Sequence, residues 1–329
     1  MLPLLLVLLL GAPPSSASGA RLAAKAFGNG VEVEVRDLPA ASANEMIRKA
    51  LAEISEVERL TDASRTDGGV AALNAAAGKG PQAVDPRVLA VLARALDFCL
   101  WSEGAHGPLG RDLYSLWGLR TQGAERPAPE SVERAVGSAA CSRLTLDQQR
   151  ATVTLAGGSG LDLWGFAEGF AVDRAVEVLR QGGASNGYVR IGSVQRAFGP
   201  GPGSKPQGWP AGLPPVPGLE GSAGQVYLRD SSLATASRAD HPLRDPGAAF
   251  PYVNQRTGLP AQGVQLTAAV TELALDAQGL AVSLLLTGPR EGELRIGSLR
   301  PRPSVLWFLG SGVGTPLQVG YRWSEVSRK

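Results

Sequence analysis

The hydrophobic positions of this chain repeat with two different periods. Residues 31–35 read VEVEV, so every second side chain is apolar, which is the period of a strand buried on one face. Residues 42–60 instead bring apolar side chains back every three or four positions, at Met46, Ile47, Leu51, Ile54 and Val57. That spacing predicts an amphipathic helix that begins at a Ser or Asn cap.

Further elements follow from the same reasoning. A second long helix is predicted over residues 86–101, with an apolar stripe made by Val88, Leu89, Val91, Leu92, Leu96 and Leu100. A short helical run closes at Asn74, residues 143–155 predict a β-hairpin, and residues 170–180 predict a helix that ends at the Gly182–Gly183 pair. Strands are predicted over residues 187–191, 225–228, 265–271 and 305–309, and a helix over residues 276–286.

Helices and strands mix without a strict βαβ period, which favours an α+β fold. The 329 residues can bury a large core, and we expect a single large mixed α/β domain over residues 21–329. Residues 199–224 are too rich in proline and glycine for regular structure over most of their length. We interpret that stretch as a surface excursion.

Composition narrows the class of protein. Hydrophobic residues make up 44% of the chain and charged residues 19%, which excludes a disordered or fibrous protein. The formal net charge is +2, and no run of Lys and Arg marks a nucleic-acid-binding surface. Nucleic acid is therefore not an expected partner.

The N-terminus predicts export. Residues 1–12 read MLPLLLVLLLGA, an apolar run of the length found in signal peptides and too short to span a bilayer. Small residues at Ser18 and Ala20 suit a cleavage site, so residues 1–20 are interpreted as a signal peptide and the protein as exported and periplasmic. An uncleaved anchor is the alternative, and membrane attachment would require it.

Cys99 and Cys141 are the two cysteines of the chain. In an oxidising compartment they could form a disulfide, but spacing alone does not show that the geometry is met. The interpretation favoured by the sequence is a pair of free, buried thiols. Neither cysteine has the CxxC or Cys/His spacing of a zinc site.

Residues 161–173, LDLWGFAEGFAVD, carry the strongest candidate for chemistry. Asp162 follows the predicted hairpin, and Gly165 and Gly169 lead into a helix. A helix N-terminus has unsatisfied N–H groups and a partial positive charge, and glycines let a phosphate approach the backbone. The segment predicts a site for an anionic cofactor; the alternative is a helix start whose glycines only allow tight packing.

Several separated stretches together resemble the FAD:protein FMN transferases, the ApbE-like flavin transferases, over residues 27–288. The best match lies within the segment just described, at Asp162, Glu168, Gly169, Phe170, Ala171 and Asp173. Residues 103–119, EGAHGPLGRDLYSLWGL, follow the family pattern next, with Asn74 and residues 186–193, 233–237 and 254–260 as further matches. The chain is similar to this family as a divergent member.

The resemblance implies a magnesium-dependent reaction that splits FAD. FMN would be joined to a Thr or Ser of an exported acceptor protein, and AMP would leave. By position, Mg²⁺ would be held by Gly165, Asp276, Gly279 and Leu280, with Asp276 as the catalytic residue. The FAD contacts implied in the same way are Phe27, Ser64, Ala105, His106, Gly107, Asp162, Glu168 and Val253.

The chain departs from the family pattern at functional positions. Leu280 stands where the family has a metal-site Thr, and Ser283, on the same helix face, is a conceivable substitute. Pro251 occupies the place of a family His, and His106 and Gly107 that of a Phe-Asp pair. These departures keep open a second hypothesis, a weakened or inactive member that binds FAD, another nucleotide or a partner protein.

Overall fold

Thirteen strands and seven α-helices are present in the part of the chain that the computed structural model describes, residues 18–119, 127–203, 207–237, 252–310 and 314–326. Most of the predicted signal peptide and Pro251 lie outside those residues. The helices are α1 (Ala40–Thr61), α2 (Gly69–Ala75), α3 (Pro86–Trp101), α4 (Arg111–Leu116), α5 (Pro129–Ser138), α6 (Ala167–Gln181) and α7 (Ala274–Ile296). The strands are β1 (Ser18–Ala26), β2 (Asn29–Pro39), β3 (Gln82–Ala83), β4 (Leu144–Asp147), β5 (Thr152–Leu155), β6 (Gly187–Ile191), β7 (Val194–Phe198), β8 (Trp209–Gly212), β9 (Gln225–Leu228), β10 (Ser231–Ser237), β11 (Val264–Thr271), β12 (Ser304–Leu309) and β13 (Leu317–Tyr321).

An antiparallel sheet forms the centre of the fold, with strand order β1-β2-β6-β7-β10-β11-β12-β13. The helices α1, α6 and α7 pack on one face of this sheet, where the larger core lies. A smaller core on the other face joins β8 and β9 to the sheet. The alternation along β11 explains both cores, since Leu266, Ala268 and Val270 belong to the smaller one and Ala269 to the larger. The α+β expectation is confirmed.

The predicted elements are found with small shifts of their ends. In β2, Val31, Val33 and Val35 are buried, as the VEVEV alternation predicts. Helix α3 has the predicted bounds, and its N-cap is Asp85, whose carboxylate accepts a hydrogen bond from the Arg87 amide at 2.8 Å. At the end of that helix the prediction was wrong, because the Leu100 side chain is 64% exposed rather than part of the apolar stripe.

Helix α1 begins differently from the prediction. Its N-cap is Pro39 and no side chain caps it, so neither Ser42 nor Asn44 has the predicted role. Helix α6 begins at Ala167, earlier than predicted, and this places Glu168 in its first turn. Helix α7 is interrupted at Gly288, where φ is 69°, next to Pro289.

The Pro/Gly-rich residues 199–224 were predicted as a surface excursion, but part of this segment belongs to the smaller core. They contain β8, and the side chains of Trp209, Ala211, Leu213 and Val216 are buried in the smaller core. Trp209 also donates a hydrogen bond from Nε1 to the Phe198 carbonyl at 3.2 Å. The segment therefore covers one face of the sheet, close to the site described below.

The two cysteines are joined, which corrects the expectation of free thiols. Cys99 near the end of α3 and Cys141 form a disulfide with a Cα–Cα distance of 5.9 Å. The packing of α3 beside the turn before β4 brings together residues that the sequence separates by 42 positions. Among the described residues, no helix combines the length and apolar character needed to cross a bilayer.

Candidate functional site

The 161–173 segment is anchored to the start of α7 through Asp173. The Asp173 carboxylate accepts hydrogen bonds from the amides of Ala274 at 2.8 Å and Leu275 at 2.9 Å. Gly169 lies against the same turn, where an added Cβ would come within 2.6 Å of the Ala274 carbonyl oxygen. Only glycine fits there, so α6 and α7 approach each other at backbone distance beside the site.

A cavity of about 480 Å³ opens beside this helix pair, a size typical of small-molecule sites. Its walls come from the β1–β2 turn, the segment before α6, the β6–β7 hairpin, β8, β10 and α7. The residues that line it are Asn29, Trp164, Gly165, Glu168, Arg190, Gly192, Ser193, Gln195, Ala211, Gly212, Leu213, Pro214, Leu233, Thr235, Tyr252, Gln278 and Val282.

One side of the cavity is a polar cluster around Glu168. The Glu168 carboxylate accepts a hydrogen bond from Asn29 Nδ2 at 3.3 Å and another from Gln278 Nε2. Asn29 is brought there by the β1–β2 turn, whose residues Phe27 and Gly28 both have positive φ, 54° and 72°, as tight hairpin turns require. Of the described lining residues, Glu168 is the only carboxylate.

Aromatic side chains form another wall. The rings of Trp164 and Tyr252 stack with centroids 5.3 Å apart and an interplanar angle of 18°. Tyr114 supports Trp164 edge-on at 5.5 Å. Both stacked residues line the cavity, so a planar heteroaromatic ligand would find an aromatic surface of fixed orientation.

Arg190 supplies positive charge at the cavity. It is the only cation among the described lining residues, and its side chain is 50% exposed. Its guanidinium lies 2.7 Å from Glu32 Oε2, which orients it from the neighbouring strand β2. A guanidinium in this place suits a phosphate group.

Of the predicted site residues, Gly165 and Glu168 line the cavity and the others do not. Phe27 lies two residues before the lining residue Asn29, and Val253 directly follows the lining residue Tyr252. Ser64 lies on an exposed loop, where its hydroxyl donates to Asp62 at 2.6 Å. Ala105, His106, Gly107 and Asp162 are buried behind the cavity wall.

His106 is part of that buried layer. Its ring stacks on Phe166 with centroids 4.3 Å apart, and its Nδ1 lies 3.2 Å from the Ser283 hydroxyl. A Cβ at Gly165 would lie 2.8 Å from His106 Nε2, which explains why Gly165, with φ of 87°, is glycine. Burial lowers the pKa of His106 from 6.5 to about 4, although nearby backbone carbonyls of Trp164 and Gly279 oppose the shift.

The predicted anion site at the start of α6 is largely used by the protein itself. The Gly169 amide donates to Gln278 Oε1 at 2.8 Å, and the Glu168 carboxylate lies in the first helical turn. A carboxylate at a helix N-terminus interacts favourably with the helix dipole. The charge that an anion would meet at the cavity is therefore that of Arg190 rather than that of the helix terminus.

The residues at the predicted metal position do not fit a divalent cation. The Asp276 carboxylate faces Arg94 of α3, whose Nε lies 2.7 Å from Asp276 Oδ1. The Leu280 side chain is buried and carries no oxygen, and Gly279 packs against the Phe98 ring. Mg²⁺ needs several oxygen ligands, so Gly165, Asp276, Gly279 and Leu280 do not make the predicted cage. The described part of the chain also holds no cluster of three or more His, Cys, Asp or Glu side chains able to bind a metal.

The periodicity of α7 explains why the predicted metal residues of that helix miss the cavity. Asp276, Gly279, Leu280 and Ser283 share one face of the helix, whereas Gln278 and Val282, four residues apart, share another. The cavity is lined by the second face. The predicted helix over residues 276–286 already implies these two faces, because they follow from the helical period. This period is the signal that could have identified Gln278.

Several of the other lining residues that sequence reasoning missed lie within or next to stretches that it had matched. Trp164 lies within residues 161–173, and Tyr252 directly precedes Val253. Arg190, Gly192 and Ser193 lie in the matched residues 186–193, and Leu233 and Thr235 in residues 233–237. Only the sheet order, which places β6, β7 and β10 side by side, shows that these stretches meet.

Comparison with known proteins agrees with the architecture and with the order of the matched segments. The crystal structure of the ApbE protein from Thermotoga maritima superposes with a TM-score of 0.84 at 20% identity, covering 94% of this chain and all of the other. The flavin transferase ApbE from Vibrio cholerae gives a TM-score of 0.81 at 20% identity over 92% of this chain and 97% of its own. The fold is thus that of the ApbE flavin transferases.

Sequence comparison settles the family. The profile of the ApbE family matches residues 27–305. A protein named FAD:protein FMN transferase from Treponema pallidum (strain Nichols) is 28% identical over 265 residues, which are 76% of this chain and 73% of that protein. This chain belongs to the ApbE family, and the predicted membership of a family of transferases is confirmed.

Proposed function

We propose that this protein binds FAD in the cavity and transfers its FMN half to a Thr or Ser hydroxyl of an exported acceptor protein, releasing AMP. The observation that carries the proposal is the pairing, in one cavity, of the stacked Trp164–Tyr252 surface with the Glu168 cluster and Arg190. Such a cavity accepts more than one kind of ligand, and the match to the ApbE family over residues 27–305 is the reason for choosing a flavin.

In the proposed reaction, the hydroxyl oxygen of the acceptor attacks the phosphorus of the FMN half of FAD. A new P–O ester bond forms, the bridging P–O bond of the pyrophosphate breaks, and its electron pair leaves with AMP. The hydroxyl proton goes to a base. Phosphoryl transfer of this kind depends on positioning and on stabilising charge at the phosphoryl oxygens.

The lining residues divide these tasks among them. Trp164 and Tyr252 stack with the flavin ring, and Arg190 neutralises charge on the pyrophosphate. Glu168 accepts the hydroxyl proton, because it is the only carboxylate among the described lining residues and is held in place by Asn29 and Gln278. The expected Mg²⁺ enters no step, since the residues at its predicted position do not fit it.

The exported location of the protein and of its acceptor is proposed from the N-terminal apolar run. Residues 1–17 lie outside the described part of the chain, and β1 begins at Ser18, within the last three residues of the predicted signal peptide. N-terminal sequencing of the protein recovered from the periplasm or medium tests this, and a start near Arg21 is expected.

The transferase activity is tested by incubating the purified protein with FAD and the exported-protein fraction of the source organism. A protein band with flavin fluorescence on a denaturing gel and an equivalent amount of AMP are expected. Binding of FAD with neither a fluorescent band nor AMP under any condition would contradict the transfer step. Absence of FAD binding would contradict the assignment of the cavity as well.

A second candidate is a member of the family that binds FAD or another nucleotide, or a partner protein, without turnover. The specific observation in its favour is that Asp276, predicted as the catalytic residue, is paired with Arg94 and does not line the cavity. Both candidates predict a rise in melting temperature with FAD, so the formation of AMP distinguishes them: the second candidate predicts none.

A further inference from the structure

Asp276 and Arg94 form an ion pair between α7 and α3. The Arg94 Nε lies 2.7 Å from Asp276 Oδ1, and the two side chains are 39% and 24% exposed, respectively. Asp97, one turn further along α3, lies 3.3 Å from Arg94 NH1. Burial lowers the pKa of Arg94, but its hydrogen bonds and charge contacts with Asp276 and Asp97 outweigh this and raise it, so the guanidinium is permanently charged.

Hydrocarbon side chains pack against one side of this ion pair. The Arg94 guanidinium lies over the Phe98 ring at 5.0 Å from its centroid, and an added Cβ at Gly279 would come within 2.7 Å of that ring. Phe98 in turn packs against Phe166 at 5.8 Å. Leu280 is 3% exposed on the same helix face. Among the described residues, Asp276 is not part of a group of three or more His, Cys, Asp or Glu side chains that could hold a metal ion.

We propose that Arg94 is a built-in substitute for the divalent cation at Asp276, so that Asp276 is not a metal ligand and ligand binding in the cavity is independent of divalent cations. The Arg94 guanidinium already neutralises the Asp276 carboxylate through Oδ1, and a second cation bound to the same carboxylate would be repelled by it. Arg94 is a positioning residue here: it neutralises Asp276 and fixes α7, whose other face carries Gln278 and Val282 into the cavity.

The first test measures metal binding without FAD. Mn²⁺ serves as the probe, and its free concentration is followed by electron paramagnetic resonance in titrations of the wild-type protein and of Asp276→Asn. The expected result is no stoichiometric Mn²⁺ site that depends on Asp276. A stoichiometric site in the wild-type protein that is lost in Asp276→Asn would overturn the proposal, whereas a site that persists in the variant supports it.

A complementary test asks whether the protein gains Mn²⁺ binding when Arg94 is replaced. Arg94→Ala combined with Leu280→Thr removes the guanidinium and adds an oxygen one helical turn from Asp276. This double variant is expected to bind Mn²⁺ with an apparent affinity at least about tenfold above the weak, non-stoichiometric binding of the wild-type protein. Arg59→Ala, which breaks a surface ion pair with Glu56, is the matched control and should leave Mn²⁺ binding unchanged.

A second measurement, which rests on the proposed function, compares FAD binding with Mg²⁺ and with EDTA. Flavin fluorescence is expected to give dissociation constants within about twofold of each other. A Mg²⁺-dependent tightening of tenfold or more that disappears in Asp276→Asn would overturn metal independence. If FAD binds in neither condition, the proposed function fails, while the Mn²⁺ titration still decides the role of Asp276.

Discussion

The Asp173 carboxylate and the Arg196 guanidinium form a salt bridge of 2.7 Å, with side chains that are only 14% and 10% exposed. The same carboxylate accepts the amide hydrogens of Ala274 and Leu275 at the start of α7. Asp173 thus connects the segment 161–173 to a strand and to the helix that carries Gln278 into the cavity. Its role is structural, and it explains why an acid follows Gly169 by four residues.

Asp173→Ala is expected to lower the free energy of unfolding by about 3–5 kcal/mol, because it leaves the buried Arg196 charge without its partner. Urea denaturation measures the loss. Glu177→Ala, one turn further along α6 and exposed, is the control and should change stability by less than about 0.5 kcal/mol. Recovery of part of the loss in Asp173→Leu/Arg196→Met is expected; a loss below about 1 kcal/mol in the single variant would contradict this assignment.

The buried His106 makes stability depend on pH. Its pKa is lowered from 6.5 to about 4, so between these values the unfolded chain binds a proton that the folded protein does not. The stabilisation that comes from keeping His106 neutral is fully present above 6.5, the pKa of this residue in the unfolded chain. It is lost as the pH falls towards about 4, the pKa in the folded protein. Between about pH 7 and pH 4.5 the loss from this residue amounts to ~2 kcal/mol.

The variant His106→Phe isolates this contribution, because a Phe ring can keep the stacking on Phe166 and does not titrate. Denaturation curves at both pH values are expected to show a smaller acid-induced loss in the variant, by ~2 kcal/mol. Equal losses in the two proteins would mean that His106 titrates normally and is not buried as described.

The disulfide is expected to stabilise the fold by constraining the unfolded chain. For a closed loop of about 42 residues, chain entropy gives about 4 kcal/mol. Reduction should lower the denaturation midpoint of the wild-type protein and leave that of Cys99→Ala/Cys141→Ala unchanged. Alkylation of free thiols in the unreduced protein, followed by mass spectrometry, should label neither cysteine; labelling of both would restore the free-thiol interpretation.

The aromatic wall is expected to determine FAD affinity. Trp164→Ala removes one of the two stacked rings and should weaken FAD binding by roughly tenfold, measured by quenching of flavin fluorescence. Trp323→Ala, which removes a tryptophan outside the cavity, is the control. Equal affinities in the two variants would show that the flavin does not stack on this wall.

Glu168 should affect turnover more than binding. Glu168→Gln keeps the size of the side chain but removes the base, so AMP formation is expected to fall by about 10²–10⁴-fold while the dissociation constant for FAD changes by less than about threefold. Rates are followed by chromatography of AMP. A proportional fall in affinity and rate would assign Glu168 to FAD binding alone.

The sequence determined the local elements and the family. Alternation in residues 31–35 and the three-to-four spacing in residues 86–101 predicted β2 and α3, because side-chain direction repeats every two residues in a strand and every 3.6 in a helix. The order of the matched segments from Asn74 to residues 254–260 was enough to predict an ApbE-like protein, which the family comparison confirmed.

Only the tertiary structure decided which of these segments meet. Glu168 and Asn29 are 139 positions apart, and Arg94 and Asp276 are 182 positions apart, yet each pair is in hydrogen-bond contact. No local period encodes such contacts, since they depend on how α6 and α7 pack on the sheet and how α3 packs against α7. That packing places Asp276 beside Arg94, with which it forms an ion pair, and places Gln278 at the cavity.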